Sequence, residues 1–280
     1  MKTIFVEVLG ETLLITGFVL LALVVMDLLY WYTRGRLADM LQRRPGTQYL
    51  VGAVLGAIPG CEGAYLAVSL HTHGLISFGA LLSSFIATTG DEAWMMFSLI
   101  PFPALLLSLT LIAVGFVVGW SLDTLRRKLR QEKHRHCEIP LPAPRERFSL
   151  REYLGHHLWQ HLIRKHLWKI ALWIFVALLV IEVGIRQFDV PAFLHDRPFL
   201  VLLIAAGIGL IPHSGPHMFF VTLYAEHLIP FSVLFTNMTV QSGHALLPLL
   251  PLSLRDSVNL KLIGLGVGIV LGSLLYIFGL

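Results

Sequence analysis

Gly56-Ala57-Ile58-Pro59-Gly60-Cys61-Glu62-Gly63 and Gly209-Leu210-Ile211-Pro212-His213-Ser214-Gly215-Pro216-His217 are two copies of one stretch. The first copy continues through His71, His73 and Leu75-Ile76-Ser77-Phe78 to Thr89-Gly90-Asp91-Glu92. The second continues through Glu226, His227 and Leu228-Ile229-Pro230-Phe231 to Ser242-Gly243-His244. Adding 153 to a number in the first copy gives its partner, without a gap from Gly56 to Gly90, and ten of those 35 positions are identical. Apolar segments match by chance at Leu, Ile and Val, but a shared Gly-x-Ile-Pro, Leu-Ile-x-Phe and terminal Gly at one offset indicates duplication.

The 280 residues are 56% hydrophobic and 14% charged, more apolar than a soluble domain at ~45–50%. The apolar runs are continuous and of helical length, and a hydrocarbon core of ~30 Å takes about 20 helical residues. Continuous runs, unlike ten-residue alternations, indicate helices and not a barrel. The fold expected is all-α: a polytopic membrane protein of about ten transmembrane or half-membrane helices, in two inverted repeats with broken helices at their cores. The net charge of +4 lies in the loops and gives no nucleic-acid signal, and Cys61 and Cys137 form no disulfide framework.

Residues 1–121 are read as the first repeat, 122–168 as a basic linker and 169–280 as the second, inverted repeat. The run from Leu13 to Tyr32 is a helix and not a signal peptide, because it lacks the basic start and small-residue cleavage site and ends in interfacial Trp31-Tyr32 before Arg34 and Arg36. Short apolar pieces are expected from Tyr49 to Ile58, Ala64 to Leu70 and Leu75 to Thr88, then a long stretch from Ala93 to Trp120 kinked at Pro101 and Pro103. Pro59, Gly60, Pro212, Gly215 and Pro216 break the backbone. Such interruptions at matching points of two halves point to a transporter's binding site.

The linker carries eleven Lys or Arg against five Asp or Glu, which the positive-inside rule puts in the cytoplasm. Its segment 139–144 is extended, and Ser149-Leu150-Arg151-Glu152 opens an amphipathic helix suited to anionic lipid headgroups. The second half runs from a span at Trp168–Ile185 through a loop at Arg186–Pro198 and a segment at Phe199–Ile211 to a final helix at Leu262–Leu280. Counting crossings puts both termini outside an inner (plasma) membrane and Asp91-Glu92 at the outer face.

Polar groups inside a membrane are candidates for function, since a charge at its centre costs roughly 2.5–3.5 kcal/mol on insertion scales. Glu62, Asp91, His217 and His244 are expected to face one another across the pseudo-two-fold, with Cys61, His213, Asn237 and Gln241 as further metal ligands. Imidazole with carboxylate and amide oxygen suits Mn²⁺, Zn²⁺ or Fe²⁺, while a lone thiol is a poor basis for a soft-metal site. The plainer alternatives are that Asp91 and Glu92 cap a helix at the membrane surface, and that Ser214 and Thr89 satisfy freed backbone. His71, His73, Glu226 and His227 are placed in short external turns. The cytoplasmic pair His157 and His161, and the cluster His134, His136 and Cys137, belong more naturally to the basic surface than to a metal site.

These motifs resemble a bacterial family described as ten-transmembrane heavy-metal exporters, some members of which carry labels such as arsenic efflux protein or manganese transporter. The resemblance rests on Gly56-Ala57-Ile58-Pro59-Gly60-Cys61, the run from Ala64 to Ala80, Thr89-Gly90-Asp91-Glu92-Ala93, Gly209-Leu210-Ile211-Pro212, Ser214-Gly215-Pro216-His217 and Gln241-Ser242-Gly243-His244. Glu62 and His213 depart from the pattern. The resemblance implies metal or metalloid efflux without choosing the ion.

The expected function is secondary export of a divalent transition metal, Mn²⁺ foremost, in exchange for protons. No phosphate-cradling Gly-rich loop with Lys and Ser or Thr is present, so no ATPase is encoded in these residues. The alternatives are an arsenite or organoarsenical permease and a membrane-embedded metalloenzyme, the latter weakened by the lack of a helical His-Glu-x-x-His. The metal is cargo and no resident cofactor is expected; the partners are this ion, membrane lipid and, left open, a second copy of the chain.

Overall fold

A computed structural model describes residues 45–128 and 198–279, with isolated helical positions between 6 and 24 and between 168 and 179. The expected linker beyond 128, its amphipathic helix and histidines, and the loop at 186–197 lie outside the described residues. The described residues are all-helical: α1 (Pro45–Gly56), α2 (Glu62–Thr72), α3 (Phe78–Ala87), α4 (Glu92–Leu99), α5 (Pro101–Lys128), α6 (Pro198–Ile208), α7 (Gly215–Ala225), α8 (Phe231–Val240), a 3₁₀ turn (Gly243–Leu246) and α9 (Leu254–Ile277).

Two of these, α5 with 28 residues and α9 with 24, are long and apolar enough to cross a membrane. The others have 8 to 12 residues, about half the length that a crossing needs. The offset of 153 governs their boundaries. α2 and α7, and α3 and α8, correspond at both ends, while α1 and α6, and α5 and α9, start at corresponding residues. The turns obey it too: φ is positive at Gly74 (71°) and its counterpart His227 (58°), and at Gly90 (56°) and its counterpart Gly243 (49°). The correspondence seen from Gly56 to Gly90 in the sequence thus extends over every described element except one: α4 is a helix, whereas residues 243–252 opposite it form a 3₁₀ turn and further turns.

Each half has two interruptions. α1 and α2 form a hairpin with its tip at residues 57–61, and α3 breaks from α4 at 88–91. The tip and the break meet, Gly60 N donating to Gly90 O at 3.0 Å. The second half repeats this with a tip at 209–214 and a break at 241–242. Contacts between the halves are reciprocal, α2 against the 3₁₀ turn and α7 against α4, as a pseudo-two-fold requires.

One end of the molecule is fixed by polar bonds. Tyr49 OH donates to Asp123 Oδ2 at 3.1 Å and Gly79 N to Asp123 Oδ1 at 3.1 Å, while the Arg126 guanidinium lies 4.2 Å over the Phe78 ring. His71 reaches Asp256 from the same end, Nε2 to Oδ2 3.6 Å, and its ring lies 6.3 Å from that of Phe78. The end of α5, the start of α9 and the turn at 73–77 therefore lie together, so α5 and α9 run antiparallel. The turn at 73–77, next to His71, sits at the end where the basic linker begins, so the external position expected for the turn and the cytoplasmic one expected for the linker do not hold together.

Three further expectations change. The kink at Pro101 is a helix boundary, because Ile100 leaves helical geometry (φ −138°, ψ 59°) and Pro101 begins the next helix. α5 continues to Lys128, eight residues beyond the expected end of this apolar stretch at Trp120. α9 starts at Leu254, eight residues before the expected Leu262, because its polar first turns are satisfied: the Ser253 side chain accepts from Asp256 N and donates to Asp256 Oδ2 at 2.8 Å.

Close approach of α3 and α5 depends on small residues, and a β-carbon on Gly119 would overlap Gly79 O and Ser83 Oγ. Gly266 on α9 has nothing within 4 Å of its β position. Gly119→Val is expected to cost about 1–3 kcal/mol by overpacking, read as a lower melting temperature in detergent, while Gly266→Ala melts as the wild type does.

Candidate functional site

Four interruptions converge at the pseudo-axis, and each supplies one polar side chain. The hairpin tips bring Cys61 and its counterpart Ser214; the first break brings Asp91, and the 3₁₀ turn directly after the second brings its counterpart His244. Asp91 Oδ2 is the common point: Ser214 Oγ donates to it at 3.1 Å, Cys61 Sγ lies at 3.8 Å and His244 Nδ1 at 3.7 Å. One ligand atom each from Cys61, Asp91 and His244 falls within a mutual 4.8 Å, a group able to hold a metal ion. Bond lengths of ~2.0–2.3 Å around a tetrahedral ion put its ligands about 3.3–3.8 Å apart, close to these separations. The His213 ring stands 5.2 Å from that of His244 and is oriented by Gly215 N donating to its Nδ1 at 3.1 Å.

Exposure within the cluster is uneven. The Asp91 side chain is 43% exposed, while that of His244 is 12% and Cys61 is 6%. The carboxylate is therefore the accessible member of the cluster, and the thiol and imidazole are largely covered. Gly243 permits this: its φ of 49° is one that side chains rarely adopt, and a β-carbon there would come 2.9 Å from Cys61 Sγ.

The backbone adds charge of its own. Cys61, Asp91 and Ser214 are the N-cap residues of α2, α4 and α7, and none makes a side-chain capping bond. Three helix N-termini thus present partial positive charge at the cluster. They favour the Asp91 anion and offset part of its pull on a cation.

Joining the halves falls to Gln241. Its Nε2 donates to Thr88 O at 2.8 Å and its Oε1 accepts from Gly243 N at 2.6 Å. Thr88 is its own counterpart at the offset of 153, so the bond crosses the pseudo-axis. Gln241 is a tie, not a cluster ligand.

Of the four residues expected to face one another, Asp91 and His244 do. His217 does not join them: both ring nitrogens are engaged, Nδ1 with Asn237 Oδ1 and Nε2 with Ile211 O, each at 3.1 Å. Asn237 is occupied in the same way, donating from Nδ2 to Ala205 O at 2.9 Å. Glu62 is exposed, with its carboxylate against Gly60 and not against His217. Pro59, Gly60, Pro212, Gly215 and Pro216 lie at the interruptions or open a helix, as expected.

Glu92 is the residue that sequence reasoning undervalued. The sequence suggests a cap at the membrane surface, yet Glu92 is 0% exposed and, among the described residues, neither carboxylate oxygen has a hydrogen-bond partner. Its counterpart Ala245 offers nothing similar. The available signal was its place directly after Asp91, one helical step further round.

Residues 1–172 and 151–276 match the family described as "Putative, 10TM heavy-metal exporter". The chain belongs to that family. It is a multi-pass, all-helical membrane protein, and the match spans nearly its whole length. Neither a curated protein nor a solved structure matches it.

Removing the Gln241 side chain would strand Thr88 O and Gly243 N inside the membrane. Gln241→Leu is expected to destabilise the protein by about 1–3 kcal/mol, measured by thermal unfolding in detergent, whereas Glu62→Gln leaves unfolding unchanged.

Proposed function

We propose that this member of the heavy-metal exporter family is a secondary transporter of a divalent metal ion, carried at Cys61, Asp91 and His244. The observation that carries this reading is the meeting of thiol, carboxylate and imidazole from both halves within 4.8 Å. Ser214 steadies Asp91 from the opposite tip, and His213 stands beside His244 as a further nitrogen ligand. Glu62, His217, Asn237 and Gln241 act outside the ion's first contacts.

The ligand set bears on the ion. Carboxylate, carbonyl and water suit Mn²⁺, whereas thiolate with imidazole suits Zn²⁺ and its softer relatives. Cys61 in the cluster moves the preference from Mn²⁺ to a thiophilic divalent ion such as Zn²⁺. An arsenic cargo is less well served, because among the described residues the cluster holds one sulfur.

Residues 1–121 and 169–280 act as inverted repeats joined by a cytoplasmic linker. The antiparallel course of α5 and α9 and the reciprocal contacts between halves support this. An ion between inverted halves reaches one side when one hairpin yields and the other side when its counterpart does. The partial exposure of Asp91 beside the covered Cys61 and His244 is compatible with such a cycle. No ATP site is involved, and protons supply the counter-flow.

Metal content of cells and titration of purified protein together test the reading. Expression is expected to lower cellular Zn²⁺ or a similar ion, and Asp91→Asn and Cys61→Ser each to weaken its binding by at least about tenfold, as for lost ligand-shell contacts. Unchanged content of every divalent metal on expression would sink the exporter reading.

A further inference from the structure

Lys261 lies seven residues into α9, about 10 Å along the helix from its start, in a helix long and apolar enough to cross a membrane. A charge there needs compensation. Among the described residues no carboxylate lies within salt-bridge distance of it. Its ammonium instead donates to two backbone carbonyls, Gly209 O at 2.9 Å and Val240 O at 3.1 Å.

Those carbonyls have a common origin. Gly209 follows the last residue of α6 and Val240 is the last residue of α8, so both belong to helix ends that stop at the interruptions. The C-terminal turn of a helix leaves carbonyls without intrahelical donors and carries partial negative charge. In transporters built from discontinuous helices, such unwound carbonyls and half-helix C-termini are the groups that hold coupling cations.

The two halves differ here. The counterpart of Lys261 is Ser108, and its hydroxyl donates within its own helix to Ala104 O at 2.9 Å. Among the described residues, no first-half side chain at that place carries a cation to the ends of α1 and α3.

We propose that Lys261 is a resident cation: its ammonium fills a carbonyl site between the ends of α6 and α8 that would otherwise take a small monovalent cation. It fixes α9 to both ends without an ion from solution. The inference stands on the two hydrogen bonds and on the contrast with Ser108, and it goes beyond the cargo reading.

The test is thermal unfolding of the full-length protein in detergent, in choline, sodium, potassium or methylammonium chloride at equal ionic strength. Wild type is expected to melt alike in all four. Lys261→Ala is expected to lose roughly 5 °C in choline and to regain at least half of that loss in sodium, potassium or methylammonium. Lys261→Met, whose side chain fills the space, is expected to lose as much and regain nothing in any salt. Where Lys261→Ala is too unstable to purify, Lys261→Ser is read in the same way. The proposal is overturned if the small variant melts as wild type does in choline, if it stays low in all four salts, or if Lys261→Met recovers as the small variant does. No transported metal is needed for this reading, so its failure leaves the exporter test untouched and the reverse also holds.

Discussion

The bond from Gln241 Nε2 to Thr88 O spans the two halves where each has given up helical hydrogen bonding. A helix interrupted inside a bilayer frees carbonyls and amides that water cannot reach, each costing several kcal/mol if left alone. Here the debt is met mostly from outside the interrupted segment. Gly60 N satisfies Gly90 O, Lys261 satisfies Gly209 O and Val240 O, and His217 engages Ile211 O. Gln241 takes the one that only the other half can reach. The broken ends thus depend on each other for stability, and the candidate site exists because they do.

The same accounting explains what the sequence disclosed. The offset of 153, the interruptions and the pairing of Asp91 with His244 were all legible, because equivalent residues near a two-fold are brought together whatever their surroundings. Cys61 was legible as a further ligand, but not as the partner of Asp91 and His244. It reads as a lone thiol, and its neighbours Asp91 and His244 lie 30 and 183 residues further along the chain. His217 was misread for a related reason: its captor Asn237 is on another helix, and nothing in the spacing says that both ring nitrogens are already engaged. Between Glu62 and Glu92, helix phase decides: one begins α2 facing outward and the other begins α4 facing the protein interior. The start of α9 was hidden by Arg255, Asp256 and Lys261, charges that look incompatible with a membrane helix until their partners are known.

Charge at the site is balanced in two layers. Three helix N-termini face the cluster and favour anions, while its side chains favour cations. This opposition moderates the pull of the cluster on a cation. Lys261 shows the converse arrangement in the second half, where helix C-termini hold a permanent cation.

Asp91 and His244 occupy one position of the repeat, and the pseudo-axis passes between them. Two identical chains meeting at such an axis would have to set a residue against itself, carboxylate to carboxylate or imidazole to imidazole, and like charges at that distance repel. A single chain holding both halves is free of that restriction. Within one chain the two copies of that position can differ and form a complementary pair, an asymmetry that no homodimer of either half could adopt.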